Sequence, residues 1–175
     1  YVRRVRGTRA RILDTRKTLP GLRRLEKYAV RVGGGSNHRM GLDEAVLIKT
    51  NHLRVFTRRR SAISEVIPRA IRQARRAAGG KMVEIETANL REFVAALRAR
   101  ADAILLDNWR LANIRHAVAR RNATRSRRHA PPRLEVSGGI TLANIRAVAK
   151  TGVDHISIGR LTHSAPALDV SLEVL

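Results

Sequence analysis

The stretch MVEIETANLREFVAALRARADAILLD, Met82 to Asp107, decides the fold. It opens on Met82-Val83-Glu84-Ile85-Glu86 and closes on Ala103-Ile104-Leu105-Leu106-Asp107, two short runs dominated by residues that suit strands. Between them Leu90, Phe93, Val94 and Leu97 recur at helical spacing and form one apolar stripe. A strand, a helix and another strand at this spacing make a βαβ unit, whose two strands run parallel.

The same alternation extends in both directions. Arg11-Ile12-Leu13-Asp14, Ala45-Val46-Leu47-Ile48-Lys49, Leu134-Glu135-Val136-Ser137 and His155-Ile156-Ser157-Ile158-Gly159 read as further strands. Ile63, Val66, Ile67, Ala70, Ile71 and Ala74 form a helical stripe, with Arg58, Arg59, Arg69, Arg72, Arg75 and Arg76 largely off it. Leu111, Ile114 and Val118 form another. Leu142, Ile145 and Val148 form a last one, with Thr141 as N-cap and Gly152 as the stop. Pro20 reads as a first helical residue ahead of Leu22 and Leu25. Residues 121–132 read as an exposed basic loop, and residues 169–175, which alternate apolar and polar, as a closing strand.

Repeated βα units leave two architectures, a barrel or an open doubly wound sheet. The strand ends favour the barrel. Asp14, Lys49, Glu86, Asp107, Ser137 and Gly159 each close a strand, and a barrel gathers all its strand ends at one mouth. An open sheet gathers only those near its switch point. The chain has 175 residues, short for eight units. The expectation is a single domain over residues 1–175, a TIM-like α/β barrel with parallel strands, reduced or open.

Composition narrows the chemistry. With no cysteine, disulfides and thiolate catalysis are excluded, and a cytoplasmic setting is expected. No apolar run approaches the roughly 20 residues of a membrane span. The net charge of +22, mostly arginine, draws polyanions such as nucleic acid, phosphorylated metabolites or polycarboxylates, or reflects solvated helix faces. The dense basic start at Tyr1 suggests a piece of a longer protein or a processed product.

Chemistry concentrates behind the strands. Asp14-Thr15-Arg16-Lys17-Thr18 sets cations and hydroxyls before a helix start, a setting for carboxylate or phosphate oxygens. Gly33-Gly34-Gly35-Ser36-Asn37-His38-Arg39 allows close backbone approach and then adds donors, or is simply a flexible turn. Lys49 faces the mouth or snorkels, followed by Asn51 and His52. Glu86 and Asp107 either hold Mg²⁺, directly or through water, and accept sugar hydroxyls, or pair with arginines. Ser137-Gly138-Gly139-Ile140-Thr141 and Ser157-Ile158-Gly159-Arg160-Leu161-Thr162-His163 follow the late strands, where barrels commonly build a phosphate site.

These segments carry a resemblance. Residues 14–24, 27–30, 33–41, 47–52, 105–108, 134–140 and 151–171 resemble, in order, the quinolinate phosphoribosyltransferases, the carboxylating nicotinate-nucleotide pyrophosphorylases. Thr15-Arg16-Lys17-Thr18 before Leu19-Pro20-Gly21, and Leu161-Thr162-His163-Ser164 before Leu168-Asp169, are its most specific matches.

The resemblance implies transfer of phosphoribosyl from phosphoribosyl pyrophosphate to quinolinate, with release of pyrophosphate and CO₂ and formation of nicotinate mononucleotide for NAD synthesis. It implies that Arg16, Lys17, His38, Arg39 and Lys49 hold the substrate carboxylates and nearby phosphate oxygens. It places Glu86 and Asp107 by the ribose and Mg²⁺, and Ser137, Gly138, Gly139, Gly159 and His163 along the 5′-phosphate. Lys17, Lys49, Glu86 and Asp107 are then the catalytic set. A homodimer or larger homo-oligomer is implied as well. The family also carries an N-terminal α/β domain, not found in this sequence, that covers a neighbouring subunit's site and lends it an arginine.

Two residues depart from the family pattern. Thr50 stands in place of an acid, and Arg160 in place of a small residue, where it adds a phosphate contact or plugs the site. Two other functions compete. One is a non-enzymatic barrel that binds RNA through its arginines, although 3% aromatic content leaves few platforms for stacking bases. The other is a relative associated with molybdenum transport that shares the motifs.

Overall fold

The computed structural model describes residues 1–57, 62–124 and 130–174. Among these residues six strands are formed: β1 (Arg11–Leu13), β2 (Val46–Ile48), β3 (Val83–Thr87), β4 (Ala103–Asp107), β5 (Arg133–Ser137) and β6 (His155–Ser157). The helices are α1 (Arg23–Val32), α2 (Thr50–Phe56), α3 (Ile63–Ala77), α4 (Leu90–Arg98), α5 (Leu111–Ala123), α6 (Ile145–Ala149) and α7 (Arg160–His163), after a short 3-10 turn over Val2–Val5. All the strand pairs are parallel, in the order β1-β6-β5-β4-β3-β2. This is the reduced, open α/β barrel that the strand ends imply.

The opening lies between β1 and β2, the two ends of that order. Part of it is covered by the glycine-rich segment. Ser36 bridges Leu13 in parallel, and its N–H donates to the Ile12 carbonyl at 2.8 Å. Gly35 permits this approach, because a Cβ there would press on Val30 and on the Val30 and Ile12 carbonyls.

Strand alternation divides the molecule into a dry outer layer and a polar interior. Val83, Ile85, Ile104, Leu106, Leu134, Val136 and Ile156 face outward and are buried against Ile67, Ile71, Phe93, Ala96, Ile114, Ala117, Ile145 and Val148 of the helices. Alternate positions place Glu84, Glu86, Leu105, Asp107, Glu135, Ser137 and Ser157 inside. The hydrophobic core is therefore the annulus between sheet and helices, and the barrel axis is left for charge. Arg69, Arg72, Arg75 and Arg76 are exposed on the far side of α3, as their spacing implies; Arg58 and Arg59 lie outside the described residues.

Four expectations are corrected. Residues 169–174 form no strand, and Leu168, Val170, Leu172 and Val174 are 77–96% exposed. A strand needs an edge to pair with as well as an alternating sequence. Pro20 lies in the turn before α1, which starts at Arg23, and Leu22 and Leu25 are exposed. Thr141 caps an earlier turn by exchanging hydrogen bonds with Asn144, α6 starts at Ile145, and Leu142 is half exposed. Arg121 does not open an exposed loop. It lies buried in the last turn of α5, donating to Asp154 Oδ2 at 2.6 Å and to the Gly152 carbonyl at 3.0 Å. Residues 125–129 of that segment lie outside the described residues.

Candidate active site

A cavity of roughly 160 Å³ opens at the carboxyl ends of the strands. Arg16, Lys17, His38, Arg39, Lys49, Glu86, Asp107 and Ser137 line it, together with Thr15, Leu47, Leu105, Glu135 and Ser157. Gly138, Gly139, Gly159 and His163 do not line this cavity. Gly138 and Gly139 border a neighbouring one with Asn108, Trp109 and Asn144. Gly159 lies against the His163 ring.

The cationic wall is set from beneath by a buried ion pair. Asp14, directly after β1, is fully buried and pairs with Lys27 of α1, also fully buried. Asp14 also accepts from Asn37 Nδ2 and from the His38 N–H at 2.9 Å, and Lys27 donates to the His38 carbonyl at 2.8 Å. This network fixes the backbone on which His38 and Arg39 stand. Arg23 ties the wall together through Thr18 Oγ1 at 3.2 Å and the carbonyls of Arg16 and Met40. Thr162 Oγ1 donates to the Lys17 carbonyl at 2.6 Å, joining α7 to the same loop.

The wall's own charges are not neutralised. Among the described residues Arg16, Lys17, Arg39 and Lys49 form no ion pair. Arg16 Nε and Arg39 Nε are buried without a hydrogen-bond partner, although Arg39 Nη1 reaches the Ala45 carbonyl at 2.6 Å. Burial and the neighbouring Arg16 charge lower the pKa of Arg39. Unpaired donors beside repelling cations form a site that an anion stabilises.

A second wall, which adjoins Lys49 through Thr50, carries the carboxylates. Thr50 donates to Glu86 Oε1 from its hydroxyl at 2.8 Å and from its N–H at 3.1 Å. Asn108 Nδ2 donates to Asp107 Oδ2 at 3.0 Å. Each acid thus has one oxygen held by a neighbour, while the other has no partner among the described residues. Two such hard oxygens suit Mg²⁺, which keeps most of its waters and takes one or two carboxylates. Asn108 itself takes a positive φ, and its N–H donates to the Ser137 carbonyl at 2.8 Å. Gly138 lies so close to the Asn108 amide that any Cβ would collide with it. Arg160 is exposed and does not line the cavity.

The floor holds two residues that strand-end reasoning passes over, Glu84 and Glu135. Both are almost fully buried inside the barrel. His38 Nδ1 accepts the Arg39 N–H at 2.8 Å, so in the neutral ring Nε2 carries the hydrogen. That nitrogen lies 3.4 Å from Glu84 Oε2 and 3.6 Å from Glu135 Oε1. Burial lowers the His38 pKa, but the hydrogen bond to Glu84 and the charges of Glu135 and Glu84 outweigh it, so the net shift is upward. Burial, reinforced by the Glu84 charge, pushes Glu135 up to about 8. The three groups lie with their polar atoms within 4.8 Å of one another.

Comparison with known proteins follows the same outline. The model of the quinolinate phosphoribosyl transferase C-terminal domain matches residues 1–173. The chain belongs to this family. A nicotinate-nucleotide pyrophosphorylase [carboxylating] of Mycobacterium leprae is 45% identical over 174 residues, 99% of this chain and 57% of that one. A probable enzyme of the same name in Bacillus subtilis is 43% identical over 94% of this chain and 52% of its own length. The solved nicotinate-nucleotide pyrophosphorylase of Francisella tularensis superposes with a TM-score of 0.82 at 41% identity, covering 97% of this chain and 55% of that one. The chain spans about half the length of these relatives.

Within the quinolinate phosphoribosyl transferase fold, the residues missed from sequence have a recoverable signal. Glu84 lies two residues before Glu86 on one strand, so both point inward by alternation. An acid in the middle of an otherwise apolar barrel strand marks the interior, as Glu135 does on β5. Lys27 offers no such signal, because a lysine on a basic helix reads as solvated.

Proposed function

We propose that this chain supplies the catalytic barrel of a carboxylating nicotinate-nucleotide pyrophosphorylase. It would transfer phosphoribosyl from phosphoribosyl pyrophosphate to quinolinate and yield nicotinate mononucleotide, pyrophosphate and CO₂. The observation that carries this reading is the make-up of one cavity: a cationic wall of Arg16, Lys17, Arg39 and Lys49, without an ion pair among the described residues, adjoining an acidic wall of Glu86 and Asp107, each with one oxygen that has no partner among those residues. The first wall suits a planar dicarboxylate, and the second a ribose with its metal.

The residues divide the work accordingly. Arg16, Lys17, Arg39 and Lys49 hold the two carboxylates and so aim the ring nitrogen at the sugar's anomeric carbon, while both ring nitrogens of His38 are engaged by the Arg39 N–H and the floor acids. Pyrophosphate departs as that carbon gains positive charge, and Glu86 and Asp107 stabilise the charge from across the cavity. Mg²⁺, held by Glu86 and Asp107 directly or through water, would neutralise the leaving pyrophosphate. Thr50 keeps Glu86 fixed in an orientation that leaves one oxygen available. Ser137, Gly138, Gly139, Gly159 and His163 are proposed to receive the 5′-phosphate beyond the cavity rim. At roughly 160 Å³ the cavity holds the ring acid, and the phosphoribosyl group extends outward.

We further propose that the chain works in the cytoplasm as a homo-oligomer. The apolar row Leu22, Leu25, Tyr28 and Val32, exposed along α1, supports self-association. No helix among the described residues is long and apolar enough to cross a membrane. The alternative of a polyanion-binding scaffold draws no support from the relatives.

Calorimetric titration with quinolinate, then turnover with phosphoribosyl pyrophosphate and Mg²⁺, tests the reading. Quinolinate should bind at least tenfold more tightly than nicotinate, which lacks one carboxylate, and nicotinate mononucleotide should form. Equal affinity for the two acids would overturn it.

A further inference from the structure

Carboxylating transfer leaves one chemical need that neither wall of the cavity meets. When CO₂ leaves the pyridine ring, a proton must take its place. Arg16, Lys17, Arg39 and Lys49 are committed to holding carboxylates, and Glu86 and Asp107 serve as anions toward the sugar and the metal. The floor is differently made. Glu135 lines the cavity yet is sealed from solvent, and its Oε1 has no hydrogen-bond partner. Glu84 enters from β3, His38 from the loop above, and Ser157 from the neighbouring β6. Two buried carboxyl groups cannot both ionise cheaply at this separation, and burial selects the neutral form of Glu135. A neutral carboxylic acid at the floor of an otherwise ionic cavity is a proton donor in waiting.

We propose that Glu135 is the acid that protonates the ring carbon from which CO₂ departs, with Glu84 and His38 holding it in place as positioning residues. The proposal rests on reading the chain as a carboxylating phosphoribosyltransferase. In the step itself the ring carbon–carboxylate bond breaks, CO₂ leaves, and the electron pair stays on the ring carbon beside the cationic nitrogen. That cleavage can reverse until the Glu135 O–H bond breaks: its proton then forms the new ring C–H bond, its electron pair remains on oxygen, and the loss of CO₂ is made final. The negative charge brought in by the substrate carboxylate ends on Glu135, 3.6 Å from His38 Nε2. Water entering after product release restores the proton.

Glu135→Gln keeps the shape and removes the acid. Three measurements on the whole chain, with Glu135→Asp alongside, test the role. In the first, an infrared band of a neutral carboxylic acid should be present near pH 7 in the unaltered chain and absent from Glu135→Gln. Its absence from the unaltered chain would overturn the proposal without any turnover. In the second, Glu135→Gln should bind quinolinate within about threefold of the unaltered chain. In the third, its CO₂ release should fall by roughly a hundredfold or more, with quinolinate mononucleotide accumulating and Glu135→Asp restoring part of the rate. CO₂ release by Glu135→Gln within threefold of the unaltered chain overturns the proposal alone. A loss of quinolinate binding that matches the loss of turnover assigns Glu135 to binding and overturns it too. No binding of quinolinate by the unaltered chain overturns the parent reading, and this one with it.

Discussion

Lys27 and Lys49 both stand near strand ends, and they do opposite work. Lys27 is fully buried, and its charge is met by Asp14 and the His38 carbonyl. Lys49 is exposed at the cavity mouth, and no acid among the described residues meets it. The same division runs through the arginines. Arg121 is buried against Asp154, whereas Arg16 and Arg39 line the cavity with donors to spare. Charges answered inside the protein hold the fold, and charges left unanswered wait for a ligand. Both kinds look alike as letters in a sequence.

The sharpest way to break the comparison is to leave an answered charge unanswered. Asp14→Ala strands Lys27 in the interior and should cost about 3–5 kcal/mol in urea denaturation. Replacing both partners, as Asp14→Leu with Lys27→Met, should cost distinctly less. If the single and double variants were equally unstable, packing and not charge would hold that corner.

The floor acid gives the next effect, read through pH. The folded-state pKa of Glu135 lies above its ordinary value, so its contribution to stability is complete below about pH 4.5 and is lost as pH rises through about 8. Across that window the unaltered chain should lose a few kcal/mol relative to Glu135→Gln. Parallel stability curves for the two would show that Glu135 is ionised from the start.

Lys49→Ala should weaken quinolinate binding roughly 10- to 100-fold, the worth of one charge-assisted hydrogen bond. Its melting temperature should stay put, because the Lys49 ammonium forms no ion pair among the described residues, and the backbone bonds of Lys49 to α2 survive the substitution. The smallest effect belongs to the outer face: Arg72→Ala should change stability by no more than about 0.5 kcal/mol and leave quinolinate affinity untouched.

How far the sequence reveals this molecule depends on how local each signal is. All six strands are legible because each is a short apolar run, and their chemically active ends pick the barrel over the open sheet. The two walls are legible for the same reason: Arg16, Lys17, Lys49, Glu86, Asp107 and Ser137 directly follow or end strands. The floor is not, because Glu84 and Glu135 lie inside strands and matter only once the barrel has closed around them. Asp14 and Lys27 are thirteen residues apart and meet only through the packing of α1 on β1. The alternation of residues 169–174 is a strand pattern that pairs with no strand among the described residues.

Trp109, which borders the cavity beside Gly138 and Gly139, has a practical use. Trp109 is the only tryptophan in the chain, and it lies two residues beyond Asp107. Its indole N–H donates to the carbonyl of Thr87, the last residue of β3, at 2.8 Å, and its ring meets Phe93 edge-on at 6.1 Å. The indole therefore bridges the two strands that carry Glu86 and Asp107. Ligands or metal drawing those carboxylates together will alter its surroundings, so the emission of a single native fluorophore can report occupancy of the site without any label.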